Sequence, residues 1–340
     1  MIYPDKLQVG DTIGVTAPSS GVTGVIANKF DNAIKQLENM GYNIKETASV
    51  RKQKKLTSAT AQKRAEEFSL LYFDPEVKAI IPPWGGELLM EMLPYIDYEK
   101  MKQHTPKWIM GFSDTSTLLF SLTIKLNMAT AHGPNLLDFG SNPIHQSVTA
   151  ALEYLNKTEG DSFTQKGMDY YQKEWLEVTE DTFPPYNLTE EVNWKILGGN
   201  ERKKIKGRLL GGNLDVICKL IGTPYAPVEK FINQFEKGFI WYFESCEMDS
   251  ADLYRTFWQM KMNNWFDNCN GILFGRPEGY NDVADFRLID ALNYSFAGEK
   301  FPVFYNLDIG HLPPQLTLIN GVSAEVIVKN GEGKVKQHLN

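Results

Sequence analysis

Residues 108–119 read Trp108-Ile109-Met110-Gly111-Phe112-Ser113-Asp114-Thr115-Ser116-Thr117-Leu118-Leu119. The apolar start suits a buried strand, Gly-x-Ser breaks it, and 115–126 has the spacing of an amphipathic helix. A serine on such a turn stands above the sheet edge with its hydroxyl exposed. The N–H of Asp114 points into the same space from the helix start, which is the mechanics of a nucleophile elbow. The match is partial, because Thr115 replaces the second glycine of G-x-S-x-G. The run Ser-Asp-Thr-Ser equally suits a helix N-cap, so this segment alone leaves both readings open.

Outward from this point, strands and helices alternate. Strands are expected at 12–17, 42–45, 77–81 and 108–110. Helices are expected between them, one with Ile26, Phe30, Ile34, Leu37 and Met40 on a single face and another over 58–73. Such alternation implies right-handed βαβ units and a parallel sheet. Residues 157–205 are polar and acidic and are expected to form a linker or excursion. Alternation resumes after Gly207, with strands at 239–243, 271–274 and 302–305, helices at 249–262 and 283–296, and β structure around Asn320-Gly321. The expected organisation is α/β with an N-terminal domain over 1–156, the excursion over 157–205 and a C-terminal domain over 206–340.

Of 340 residues, 42% are hydrophobic and 23% charged, and the net charge of -7 argues against a nucleic-acid binder. Three scattered cysteines, Cys218, Cys246 and Cys269, form no CxxC pair and support neither a zinc ribbon nor a disulfide scaffold. The N-terminus carries no secretory signal pattern and no run approaches a membrane span, so a cytoplasmic protein is expected. No carboxylate and histidine cluster shows metal-ligand spacing, so no metal and no cofactor is expected.

A serine nucleophile needs a base and a group to orient it. Of the five histidines, His132 and His311 follow strands, whereas His104, His145 and His338 lie in polar, turn or terminal stretches. Glu244 directly follows five apolar residues, where a carboxylate is costly to bury without a partner. Ser113, Glu244 and His311 each fall at or just past the C-terminal end of an expected strand, the edge where open α/β sheets place their sites. Their order matches one known arrangement of the triad. Pro82-Pro83-Trp84-Gly85-Gly86-Glu87 follows another strand, and its Gly-Gly turn leaves N–H groups for an oxyanion. A plain strand-to-helix turn fits the same spacing. A two-domain protein that closes on a small ligand without chemistry is the rival reading.

Together these residues resemble the LD-carboxypeptidase family of serine peptidases, which includes the microcin C self-immunity proteins. The resemblance spans nearly the whole chain. It rests on Leu7-Gln8-Val9-Gly10-Asp11-Thr12-Ile13-Gly14-Val15-Thr16-Ala17-Pro18-Ser19, Gly111-Phe112-Ser113-Asp114-Thr115-Ser116, Leu209-Leu210-Gly211-Gly212-Asn213-Leu214, Phe243-Glu244 and Gly310-His311. It implies an N-terminal flavodoxin-like domain and a C-terminal swivelling β/α domain. It further implies Ser113 as nucleophile, His311 as general base, Glu244 as its orienter, and an oxyanion hole from the N–H groups of Gly86 and Asp114. The family implies a cytoplasmic homodimer without metal, acting on a small peptide or peptidyl-nucleotide. The murein-recycling branch carries an Arg-Gly-Gly-Tyr-Gly-like turn, which Pro83-Trp84-Gly85-Gly86-Glu87 departs from, so recognition in that branch is not copied; Gly85 is expected to contact substrate. The excursion holding Trp194 is more similar to the microcin-immunity branch, where a tryptophan stacks on a nucleotide base. Trp194 either does the same or anchors the excursion.

Overall fold

The computed structural model describes residues 1–199 and 202–340. Strands β1 (Thr12–Val15), β2 (Asn43–Glu46), β3 (Val77–Ile80), β4 (Trp108–Gly111) and β5 (Thr130–His132) are mutually parallel and lie in the order β2-β1-β3-β4-β5. That is the doubly wound, flavodoxin-like order. Every residue of β4 is buried, as expected where helices cover both faces of a parallel sheet. The strand order reverses between β1 and β3, and the loops leaving them carry Ser19-Ser20 and Gly85-Gly86. Ser113 leaves the neighbouring β4, so the elbow stands beside the crevice where such sheets bind ligands.

The chain then forms β6 (Ser162–Lys166), β7 (Tyr170–Gln172), β8 (Leu188–Glu191) and β9 (Lys195–Ile196). β10 (Arg202–Asn213), β11 (Phe239–Glu244), β12 (Cys269–Gly275) and β13 (Val303–Leu307) follow as a second parallel array. The tail supplies β14 (Leu318–Asn320), β15 (Ser323–Lys329) and β16 (Glu332–His338). The second sheet has eight strands in the order β6-β16-β15-β10-β11-β12-β13-β9.

Three expectations need correction. Residues 157–205 are not simply a linker: β6 pairs with β16 and β9 with β13, closing both edges of the second sheet. β6 alternates exposed and buried residues, but its inward positions are Phe163 and Gln165, and a polar Gln165 hides the period-2 signal. Nor does the tail stay in the second half, since β14 pairs antiparallel with β5 and extends the first sheet. Finally, helix Thr115–Leu126 is not amphipathic in place. Every residue except Lys125 is buried, because β10 and the segments after it cover the face that a single sheet would leave to water. Two of its hydroxyls find partners on either side: the Asn213 N–H of β10 donates to Ser116 Oγ at 3.0 Å, and Tyr98 Oη, from a segment before the helix, lies 3.0 Å from Ser121 Oγ. The helix that follows Ser113 is thus the seam between the two sheets. Among the described residues, no helix is long and apolar enough to cross a membrane.

Candidate active site

Ser113 has φ 62°, a left-handed backbone that costs an L-residue roughly 1–2 kcal/mol. Such strain persists only where surrounding structure imposes it. Here the imposing group is Asp114, only 1% exposed. Its Oδ2 accepts from Ser19 Oγ at 2.6 Å and from the Leu89 N–H at 2.9 Å, and Oδ1 accepts from Thr117 Oγ1 at 3.3 Å. One carboxylate therefore ties the loops after β1 and β3 to the elbow. Burial, opposed by these hydrogen bonds, pushes its pKa up to about 6.

Gly85 and Gly86 fit this geometry for different reasons. A Cβ on Gly85 would stand 2.7 Å from Ser113 Oγ and 3.0 Å from the Asp114 nitrogen. A Cβ on Gly86, at φ 142°, would meet Ser19 Oγ at 2.4 Å and Ser20 Oγ at 2.5 Å. Gly85 is therefore packed against the serine. Among the described residues, the N–H groups of Gly86 and Asp114 have no protein acceptor within hydrogen-bond range. Arg64, fully buried, holds the same loops by donating to the carbonyls of Pro18 and Leu88 and pairing with Glu91 at 2.7 Å.

On the other side, Glu244 ends β11 and His311 lies beyond β13. His311 Nδ1 stands 2.8 Å from Glu244 Oε2, with Glu244 fully buried and His311 14% exposed. A Cβ on Gly310 would stand 2.6 Å from that same carboxylate oxygen, which explains the glycine before the histidine. Burial opposes the imidazolium, but the Glu244 charge and hydrogen bonding override it and raise the His311 pKa well above its ordinary value. Burial likewise opposes the Glu244 carboxylate, and the neighbouring His311 charge leaves its pKa lowered. The ring of Phe112, the residue before Ser113, packs edge-on against His311 at 4.9 Å. The two sheets therefore meet at this point, although no Ser113–His311 hydrogen bond lies within 3.5 Å among the described residues.

The other histidines fall elsewhere. His132 is fully buried behind the nucleophile helix, and burial lowers its pKa to about 4, so it stays neutral there. His104 packs on Phe73, His145 caps helix Gln146–Leu155, and His338 lies in β16.

Of the two readings left open for Trp194, the structure favours the anchor. It is 2% exposed, its indole N–H donates to Asp308 Oδ2 at 2.9 Å, and a Cβ on Gly333 would collide with its ring. It packs the excursion against β13 and β16 and is almost wholly buried. The tryptophan that reaches the site is Trp175, 53% exposed. Its indole N–H donates at 2.8 Å to Glu278 Oε1, and Glu278 Oε2 lies 3.6 Å from Cys246 Sγ. Cys246, Glu278 and His311 each present a polar atom within 4.8 Å of the others. Sequence reading missed this cluster because its members follow three different strands, β11, β12 and β13, and no local spacing links them.

Comparison with known proteins identifies the family. The family model described as LD-carboxypeptidase N-terminal domain matches residues 13–133, and that described as LD-carboxypeptidase C-terminal domain matches 206–326. The chain belongs to the LD-carboxypeptidase family. Among similar members, a putative carboxypeptidase of Vibrio cholerae is 27% identical over 99% of this chain and 98% of its own. The microcin C7 self-immunity protein MccF of Escherichia coli is 27% identical over 95% of this chain and 92% of its own. The solved structure of MccF in complex with aspartyl sulfamoyl adenosine superposes with a TM-score of 0.84, at 26% identity, over 100% of this chain and 99% of that one. The matched LD-carboxypeptidase regions hold Ser113, Glu244 and His311, but leave out the excursion with Trp175 and Trp194.

Proposed function

We propose that the protein is a serine peptidase that cleaves an amide bond through an acyl-enzyme. Ser113 Oγ attacks the carbonyl carbon and His311 Nε2 takes its proton, with Glu244 fixing the tautomer from Nδ1. The N–H groups of Gly86 and Asp114 receive the oxyanion, a contribution typically worth about 100-fold or more per donor. The proton then passes from His311 to the leaving nitrogen. Water, deprotonated by His311 in turn, releases the acid and restores Ser113. The observation that carries this reading is the 2.8 Å Glu244–His311 pair, packed through Phe112 onto a serine with left-handed backbone.

For the substrate we favour an aminoacyl- or peptidyl-nucleotide over a muropeptide. Support comes from the likeness to MccF, which was solved with aspartyl sulfamoyl adenosine, and from the exposed indole of Trp175 tethered to the site through Glu278. Stacking of a base on an aromatic ring is worth about 1–3 kcal/mol. Both amide substrates, offered to wild type and to Trp175→Ala, test this. The expected result is turnover of the nucleotide amide with KM about tenfold higher in the variant and kcat nearly unchanged. Turnover of the muropeptide alone would overturn the substrate assignment. Turnover of neither, with no acyl adduct on Ser113, would favour a non-catalytic binding protein.

A further inference from the structure

Cys246, Glu278 and His311 have no joint role in the reaction just described, yet each is held in place by a separate partner. Asp215 accepts from the backbone N–H of Cys246 at 2.9 Å and of Glu247 at 3.1 Å, which fixes the loop carrying the thiol. Glu278 is fixed by Trp175 through Oε1 and by its own N–H to the Ser245 carbonyl at 3.0 Å, and Oε2 accepts from the Cys246 thiol, so its partner is another member of the cluster. Glu244 occupies His311 Nδ1, so the nitrogen His311 can offer to a third group is Nε2. A carboxylate on the far nitrogen of an imidazole is the usual support of a metal-ligating histidine.

One of the three spacings matches a tetrahedral ion, and the other two lie within 4.8 Å. Metal bonds of about 2.3 Å to sulfur and about 2.1 Å to oxygen, at a tetrahedral angle, put those two atoms about 3.6 Å apart. Cys246 Sγ and Glu278 Oε2 are 3.6 Å apart. Thiolate, imidazole and carboxylate together select Zn²⁺ over Mg²⁺ or Ca²⁺, which prefer all-oxygen sites.

We propose that Cys246, Glu278 and His311 bind a thiophilic divalent cation of the Zn²⁺ type, and that its binding switches the hydrolase off. Ligation releases to solvent the thiol proton of Cys246 and, where His311 is imidazolium, its Nε2 proton as well. The ion takes the lone pair of His311 Nε2, the same pair that accepts the Ser113 proton, so metal and catalysis exclude each other. The switching half rests on the proposed serine-peptidase reading, whereas the binding half does not.

Two measurements on the full chain separate these halves. Co²⁺, added to metal-free protein, reports thiolate ligation through its near-ultraviolet charge-transfer band. The expected result is a band saturating at one equivalent, absent in Cys246→Ser and needing about tenfold more Co²⁺ in Glu278→Gln. No band, or a band that persists in Cys246→Ser through Cys218 or Cys269, would overturn the site. Labelling of Ser113 by a fluorophosphonate reports the nucleophile. Zn²⁺ is expected to slow labelling at least tenfold, reversibly with EDTA, in wild type but not in Cys246→Ser, each compared with its own metal-free rate. Labelling unaffected by Zn²⁺ in protein that shows the cobalt band would overturn the switch. Absence of labelling in metal-free protein would overturn the peptidase reading and the switch with it, while the cobalt band still decides the site.

Discussion

Ser113 and His311, linked through the ring of Phe112, are held by different means. The serine sits on left-handed backbone, and buried polar groups from three loops of one sheet press on it: Asp114, Ser19, the Leu89 N–H and, from behind, Arg64. The histidine is positioned by one charge pair, its Nδ1 against the fully buried Glu244, with Gly310 leaving room for the carboxylate. The Ser113 side is therefore governed by shape, and the His311 side by charge. Substitutions that change only shape should damage the first, and substitutions that change only charge should damage the second.

The largest effect is expected where the reacting atom itself is removed. Ser113→Ala should lower turnover about 10⁴-fold or more. Its melting temperature should barely move, because alanine carries the same Cβ penalty at φ 62°. Ser113→Gly should be equally inactive yet more stable by about 1 kcal/mol, since glycine relieves the left-handed strain. A Ser113→Gly variant no more stable than Ser113→Ala in thermal unfolding would show that the elbow is not strained.

On the base side, Glu244→Gln keeps the shape and removes the charge. The amide presents either its oxygen or its NH₂ to Nδ1, so the imidazole tautomer is no longer fixed, and turnover should fall by up to about 10⁴-fold with the fold intact. A loss under tenfold in steady-state kinetics would mean that packing against Phe112 orients His311 without help from the carboxylate.

These two sides also differ in how much of them can be read from the chain. The elbow is contiguous: strand, Gly-x-Ser and helix start lie within 108–119, so local periodicity is enough to find it. Glu244 is visible because a carboxylate directly follows five apolar residues. The partners of His311 are visible only as strand-end residues, since β11, β12 and β13 are brought side by side by tertiary structure. The same limit explains the errors. Helix Thr115–Leu126 carries Ser and Thr at positions that water would suit, and only the second sheet makes them interior. β14 belongs to the first sheet although it follows the second in sequence. Of the two tryptophans in the excursion, the buried one lies beside a strand and the exposed one in the strandless 173–187 stretch, a distinction that composition does not carry.

A smaller effect is expected from a methyl group beside the nucleophile. Gly85→Ala places a carbon 2.7 Å from Ser113 Oγ, and a displacement on the order of 1 Å typically costs about 100-fold in rate. The loss should appear in kcat, with the Glu244–His311 pair untouched. An unchanged kcat would mean that the loop after β3 yields, and that shape does not govern this side.

The smallest effect tests whether charge plays any part in holding the elbow. The Asp114 pKa of about 6 lies above the ordinary aspartate value of 3.8, so between these values the folded state holds a proton that the unfolded chain has lost. Stability must then fall as pH rises through that window, by on the order of 3 kcal/mol from this group alone. Its charged neighbours are Glu87, which raises the pKa further, and the buried Arg64. In Asp114→Asn the side-chain oxygen still accepts from Ser19 and Leu89, while the new NH₂ faces Thr117 Oγ1, which accepts from it. The variant keeps the hydrogen bonds and loses the buried charge. Its thermal stability should match wild type near pH 3, below both values, and exceed it at pH 7.5, whereas Asp114→Ala should be less stable than wild type by about 1–3 kcal/mol near pH 3. Equal stability differences at both pH values would show that the carboxylate is not the titrating group, and a less stable Asp114→Asn at pH 7.5 would show that its negative charge, not its shape, ties the three loops together.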